Sequence, residues 1–153
     1  MMGVTLYCKK TGRNMNMGYG GFNRLRNKVA ELAGEPFASH YAKLSRPEYM
    51  FCVTPDVTQK LYAEFDAETQ RIISEGKVSF KIVDFCLQSD CEGKIRYGVC
   101  KEILKAIGDY DDDHTYYGYA HYGPHGITGS GTLSDFKAIL QDCVDNKCML
   151  IWG

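Results

Sequence analysis

Apolar positions along this chain recur at two spacings, and the switches between them divide it into elements. "VTLYC" (Val4–Cys8) has the β-branched and aromatic content of a strand. "KKTGR" behind it carries Gly12 as a turn signal, which predicts a hairpin returning through Asn14 to Met17. After "GYGG", Phe22, Leu25, Val29, Leu32 and Ala33 fall at helical spacing up to Gly34, a residue suited to closing a helix. "EPFASHYAKL" reads as a short helix with Pro36 in its first turn, ended by the Arg46-Pro47 break. Thr54, Pro55 and Asp56 then supply an N-cap, a first-turn proline and an acid matched to the helix dipole. Leu61, Phe65, Ile72 and Ile73 line one face of that helix until Gly76 stops it.

"KVSFKIVDFCLQ" fits both periods. Val78, Phe80 and Ile82 alternate like a strand, whereas Ile82, Val83, Cys86 and Leu87 follow a helical stripe, and the stripe predicts a helix. Ile95 to Ile107 sets Val99, Cys100, Ile103, Leu104 and Ile107 on one side of a further helix stopped by Gly108, so the two segments predict an antiparallel helical hairpin turning at Gly93. A last helix begins at Thr132, where Thr-Leu-Ser-Asp fits a capping box and Phe136, Ile139, Leu140, Cys143 and Val144 form the apolar face. "CMLIW" closes the chain as a strand apolar enough to need cover on both faces, which pairing with the N-terminal hairpin would help supply. The expected fold class is α+β: a small antiparallel sheet, N-terminal hairpin plus C-terminal strand, packed by about five helices.

A length of 153 residues suits a single globular domain spanning 1–153 with a real core. The net charge of -1 and pI near 6.4 give no overall field that would gather nucleic acid or an anionic membrane, so nucleic acid is not an expected partner and would need a local patch. The N-terminal stretch lacks the apolar core of a signal peptide, and no apolar run reaches the eighteen or so residues of a membrane span, so a cytoplasmic protein is expected. Seven cysteines are an odd number, and several sit in apolar periodic segments, which points to reduced thiols. Cys86 with Cys91 and Cys143 with Cys148 are close in sequence, but neither pair has a second pair or a histidine nearby to complete a zinc set; burial rather than ligation is expected.

Two stretches carry a resemblance. "YGGFNRLRNKVAELAG" after the hairpin beginning "VTLYCKKTG", and "FCLQSDCEGKIRYGVCKEILKAI", together about half the chain, resemble a group of small uncharacterised proteins of bacteria and their phages. In that group a Tyr-Gly-Gly-aromatic corner precedes a helix and a Ser-Asp-Cys-acid-Gly turn precedes a cysteine-containing helix. The resemblance implies no activity, but it singles out Tyr19–Phe22 and Ser89–Gly93 as turns to inspect.

Three places carry candidate chemistry. At the first, Tyr19, Gly20 and Gly21 open a helix whose positive dipole end, with Arg24, Arg26 and Lys28, could hold an anion; the competing reading is a tight corner that needs positive φ. The pattern matches neither phosphate-loop fingerprint, and no cofactor is expected. At the second, Ser89 and Asp90 could cap a helix, or Cys91 could act as a nucleophile served by His40 or His114 through the fold. The third is "DYDDDHTYYGYAHYGPHG". Asp109, Asp111 and Asp113 imitate the start of a calcium loop, but His114 then occupies the glycine position and Ala120 the closing glutamate position. Asp109, Asp111, Asp113, His114, His121 and His125 remain candidate transition-metal ligands, although Gly118, Gly123, Pro124 and Gly126 work against a helix that would pre-position the imidazoles. Tyr110, Tyr116, Tyr117, Tyr119 and Tyr122 among glycines have the composition of a recognition surface, on a stretch of roughly twenty-five residues without clear regular structure.

No nucleophile with an orienting partner can be assembled from linear spacing. The expectation is therefore a small cytosolic binding protein, of the kind a phage or mobile element encodes. It would engage a protein partner or a small anionic, nucleotide-like ligand through Tyr116, Tyr117, Tyr119 and Tyr122 and the corner of Tyr19, Gly20, Gly21, Arg24 and Arg26. The alternative is a metal-dependent hydrolase built on the Asp/His cluster of 109–125.

Overall fold

In a computed structural model of the chain, residues 3–50, 54–112, 121–123, 126–128 and 132–153 are described, with backbone alone at 50, 121–123 and 126–128. The N-terminal strands β1 (Val4–Cys8) and β2 (Asn14–Met17) lead into helices α1 (Tyr19–Ala33), α2 (Phe37–Ala42), the single turn α3 (Pro47–Met50), α4 (Pro55–Ser74) and α5 (Phe80–Leu87). Then follow β3 (Gly93–Ile95), α6 (Tyr97–Ile107), the short strands β4 (His121–Gly123) and β5 (Gly126–Thr128), α7 (Leu133–Asn146) and β6 (Leu150–Trp152). The fold is α+β: seven helices among the described residues, with a four-stranded antiparallel sheet in the order β2-β1-β6-β3.

Register explains which side of the sheet is covered. Val4 stands opposite Met17, Leu6 opposite both Met15 and Trp152, and Leu150 between Cys8 and Ile95. Because side chains alternate along a strand, these eight residues share one face, and all are buried. Asn14, Asn16 and Lys94 on the other face are exposed. Helices cover the apolar side through a cluster of rings: Phe22 (α1) packs edge-on against Phe85 (α5) at 6.1 Å and Trp152 (β6) at 5.6 Å, and Phe85 stacks on Phe136 (α7) at 5.8 Å. The sheet and three helices therefore meet at one aromatic centre.

The predicted helix ends follow local chemistry. Thr54 accepts from Val57 N at the start of α4, Ser79 accepts from Lys81 N at the start of α5, and Thr132 with Asp135 forms a reciprocal capping box on α7. Gly34 closes α1 at φ 94°, a conformation that a side chain would strain.

Three expectations are corrected. The terminal strand β6 is interior, with a neighbour on each edge, but only Leu150 and Trp152 are buried and Ile151 is half-buried, so full cover exists on one face. Ile95 does not begin a helix: Gly93–Ile95 pairs with β6, and α6 starts two residues later. Gly93 is thus no helical-hairpin turn. It lies directly across from Trp152, and a Cβ there would overlap the indole ring, so the missing side chain is what lets the ring lie flat against the strand.

Candidate functional site

The Gly-rich corner is built differently from the expectation. Gly18 caps α1 in extended backbone, and the positive-φ glycines among the described residues are Gly12, Gly34, Gly76 and Gly108, so neither Gly20 nor Gly21 is there for a left-handed turn. Arg24 is exposed beside Gly20, but Arg26 turns inward. Its Nη1 donates to Phe85 O at 3.2 Å and Gln88 O at 2.6 Å, closing the C-terminus of α5, and its guanidinium lies 4.6 Å over the Phe22 ring. Lys28 pairs with Glu31 and sits over the Tyr110 ring. Arg26 therefore drops out of the expected anion set.

Tyr19 faces Asp90 and Cys91 of the turn before β3; burial, then the neighbouring Cys91 and Asp90, pushes its phenol above the ordinary range. The two turns singled out by resemblance thus meet in space. Their meeting point brings the Asp90 carboxylate and the Cys91 thiol to Tyr19, at the start of a helix on which Arg24 stands beside Gly20. Ser89 caps no helix: its Oγ accepts from Cys91 N at 3.1 Å, while its carbonyl accepts from Trp152 Nε1 at 3.0 Å. Cys91 is exposed and donates to Asp90 Oδ1 at 3.4 Å. His40 does not serve it, being buried between α2 and α4, stacked on Phe65 at 4.0 Å and hydrogen-bonded to Thr69 Oγ1 at 2.7 Å.

Of the acid and imidazole cluster, Asp109 and Asp111 are exposed, and Asp113, His114 and His125 lie outside the described residues. Tyr110 is docked: its hydroxyl donates to Asp112 Oδ2 at 2.9 Å and its carbonyl accepts from Lys137 Nζ at 3.1 Å. Tyr116, Tyr117 and Tyr119 also fall outside the described residues, while His121 and Tyr122 belong to β4, paired with Thr128 and Ile127 of β5. Part of the stretch expected to lack regular structure is therefore a hairpin.

Two arrangements escaped the sequence. The first is a groove of about 650 Å³ lined by Phe80, Lys81 and Asp84 of α5, residues 94–99 at the entrance to α6, and Met149. Phe80 is 64% exposed and Tyr97 38%, so two aromatic faces flank it. Helix α6 opens into it with no side-chain cap and no acid in its first turn, and the cap residue is itself Arg96. Lys81 reaches over that turn, its Nζ 3.7 Å from where a Cβ on Gly98 would stand. Lys81, Lys94 and Arg96 take part in none of the ion pairs among the described residues. Three cations thus crowd the positive end of a helix dipole, an arrangement that an anion would relieve.

The second is a knot of thiols. The sulfurs of Cys8, Cys143 and Cys148 all lie within 4.8 Å of one another, with Cys8 and Cys148 at 3.3 Å, and Cys100 of α6 neighbours Cys143. Burial pushes the Cys8 thiol up, but the polar groups of Thr11 and Lys10 in the turn beside it and the Cys148 thiol outweigh that and bring Cys8 down to about 7. The neighbours Cys143 and Cys148 move up, Cys143 chiefly through the neighbouring Cys100 and Cys148 chiefly through burial. The six described cysteines are free thiols, and no helix among the described residues is long and apolar enough to cross a membrane. Compared with protein-family models, curated proteins and solved structures, the chain matches none of them.

Proposed function

We propose that this chain is a cytosolic binding protein that takes a small anionic ligand carrying an aromatic ring, nucleotide-like in character, in the groove at the start of α6. The observation that carries the reading is the uncapped N-terminus of α6 with Lys81, Lys94 and Arg96 around it and no ion pair to any of the three among the described residues. Natural sequences place acids, not cations, at helix N-termini, so the local conflict is the kind found at functional sites. Phe80 and Tyr97 supply faces on which a planar ring stacks, and the α6 amides with the three cations take the anionic group. The ligand class is the one expected from the sequence. The site is different, because Arg26 is engaged by α5 and Tyr19 by Cys91 and Asp90.

The test is calorimetric titration with adenosine monophosphate, adenosine and inorganic phosphate. The monophosphate should bind more tightly than either half. Lys94→Glu combined with Arg96→Glu should weaken it by at least about tenfold, or about 1.4 kcal/mol, while leaving the melting temperature of these exposed positions nearly unchanged. Equal binding by the double variant, or no binding of the monophosphate at all, would sink the reading. Steeply salt-dependent binding of single-stranded nucleic acid in preference to the mononucleotide would also overturn it.

A further inference from the structure

We propose that Cys8, Cys143 and Cys148 form a binding site for one thiophilic divalent cation of the zinc class, independent of the groove. The three sulfurs come from the end of β1, the last turns of α7 and the residue leading into β6, and they lie within 4.8 Å of one another. Around a zinc ion with metal–sulfur bonds of about 2.3 Å, tetrahedral sulfurs stand roughly 3.8 Å apart. The observed spread, from 3.3 Å for Cys8 and Cys148 up to the 4.8 Å bound, brackets that spacing, so closing on an ion needs only small side-chain rotations.

The backbone that carries the three sulfurs is held in place by hydrogen bonds. The residues after Cys8 turn tightly, with Gly12 N donating to Cys8 O at 2.9 Å and Gly12 at φ 75°. That turn brings Lys10 and Thr11 beside Cys8, and the Thr11 hydroxyl donates to Asp142 Oδ2 at 3.0 Å, which ties the turn to α7 next to Cys143. At the other end Lys147, in left-handed backbone, closes α7 while Cys148 N donates to Cys143 O at 3.0 Å, which fixes those two ligands relative to each other. Lys9 N donates to Met149 O at 3.0 Å and ties the two halves together.

Simple burial of small apolar thiols does not account for this set. It calls for no closure of three sulfurs from separate parts of the chain on one point. Cys8 and Cys143 are fully buried, whereas Cys148 is half-buried and gives the ion its route in and a side on which solvent completes the shell. Exposed Lys9, Lys10 and Lys147 flank the ligands in sequence and offset the excess negative charge of three thiolates on a divalent ion.

The experiment uses the full chain, reduced, stripped with chelator and titrated anaerobically with cobalt(II) as a spectroscopic stand-in for zinc. One equivalent should give a thiolate-to-cobalt charge-transfer band that one equivalent of zinc bleaches. Cys148→Ser, the least buried ligand, should weaken binding about a hundredfold or more, since even outer partners of a metal ligand contribute ten- to hundredfold, and exposed Cys91→Ser should bind like the parent. Should Cys148→Ser fail to fold, alkylation of the parent decides: zinc should protect the half-buried Cys148 from iodoacetamide and leave exposed Cys91 reactive. No charge-transfer band from folded parent protein, or identical alkylation with and without zinc, overturns the site. So does recovery of Cys8 and Cys148 as a disulfide that survives mild reduction with no metal uptake, which would make the pair an oxidised crosslink instead.

Discussion

Replacing Arg26 by methionine keeps an apolar stem against Phe22 and deletes the guanidinium, which separates two roles for this cation. In the structure Arg26 is 7% exposed, and its head holds the carbonyls of Phe85 and Gln88 at 3.2 and 2.6 Å. A hydrogen bond from a charged donor contributes roughly 1.5–3 kcal/mol net, so losing two would remove about 3–6 kcal/mol. Against that stands the burial of a cation whose Nε has no partner among the described atoms, a desolvation penalty that methionine escapes. The balance is about 2–4 kcal/mol of destabilisation. At about 2–4 °C per kcal/mol for a chain of this size, the melting temperature should fall by roughly 4–16 °C. Arg24→Met on the exposed side should change stability by less than about 1 kcal/mol. Thermal and urea unfolding followed by circular dichroism measure both. If Arg26→Met melts with the parent, the guanidinium is not a strut between α1 and α5. Its charge would then be free for an anion at the Gly-rich corner, and the reasoning that moves the ligand to α6 would fail with it.

Gly93→Ala puts a methyl group into the Trp152 ring, and because strand pairing fixes the backbone on both sides, the ring has to move; about 2–3 kcal/mol of destabilisation with a changed tryptophan emission is expected, and an unshifted urea midpoint would contradict the packing. His40 is held below its ordinary value of 6.5, first by burial and then by the charge of Lys43. A base whose folded pKa is depressed binds fewer protons folded than unfolded, so stability is complete above about pH 6.5 and declines as pH falls from there toward the folded value. His40→Phe, which preserves stacking on Phe65, should flatten that decline; a parent melting temperature level from pH 7 to the acid side would refute the assignment.

What could be read from the chain was whatever local chemistry decides. Thr54 and Thr132 cap helices because a hydroxyl accepts a nearby amide, and Gly34, Gly76 and Gly108 stop them because positive φ is open to glycine. The strand β3 was not legible: three residues, Gly-Lys-Ile, carry no period of their own, and they are a strand only because β6 lies alongside and Trp152 fits over Gly93. Arg26 reads as the wet side of a helix until the end of α5, 59 residues away, is brought beneath it. Cys8 and Cys148 stand 140 residues apart, and the one hint that they meet was the expected pairing of the terminal strand with the N-terminal hairpin.

The two uncapped helix starts show why glycine content is a poor guide to an anion site. Both α1 and α6 begin without a side-chain cap and without an acid in the first turn, so their dipole ends are equivalent. What differs is the charge that the fold gathers around each. At α1 Asp90 and Cys91, from the turn before β3, face Tyr19, and one of the helix's own arginines is drawn inward. At α6 three cations arrive from α5, β3 and the cap position, at 81, 94 and 96, a spacing that forms no cluster until the turn from α5 through β3 folds back. A helix N-terminus attracts an anion in proportion to the field around it as well as its own partial charge, and at α6 three cations outnumber the one groove acid, Asp84, and add to the dipole, whereas at α1 Asp90 opposes it.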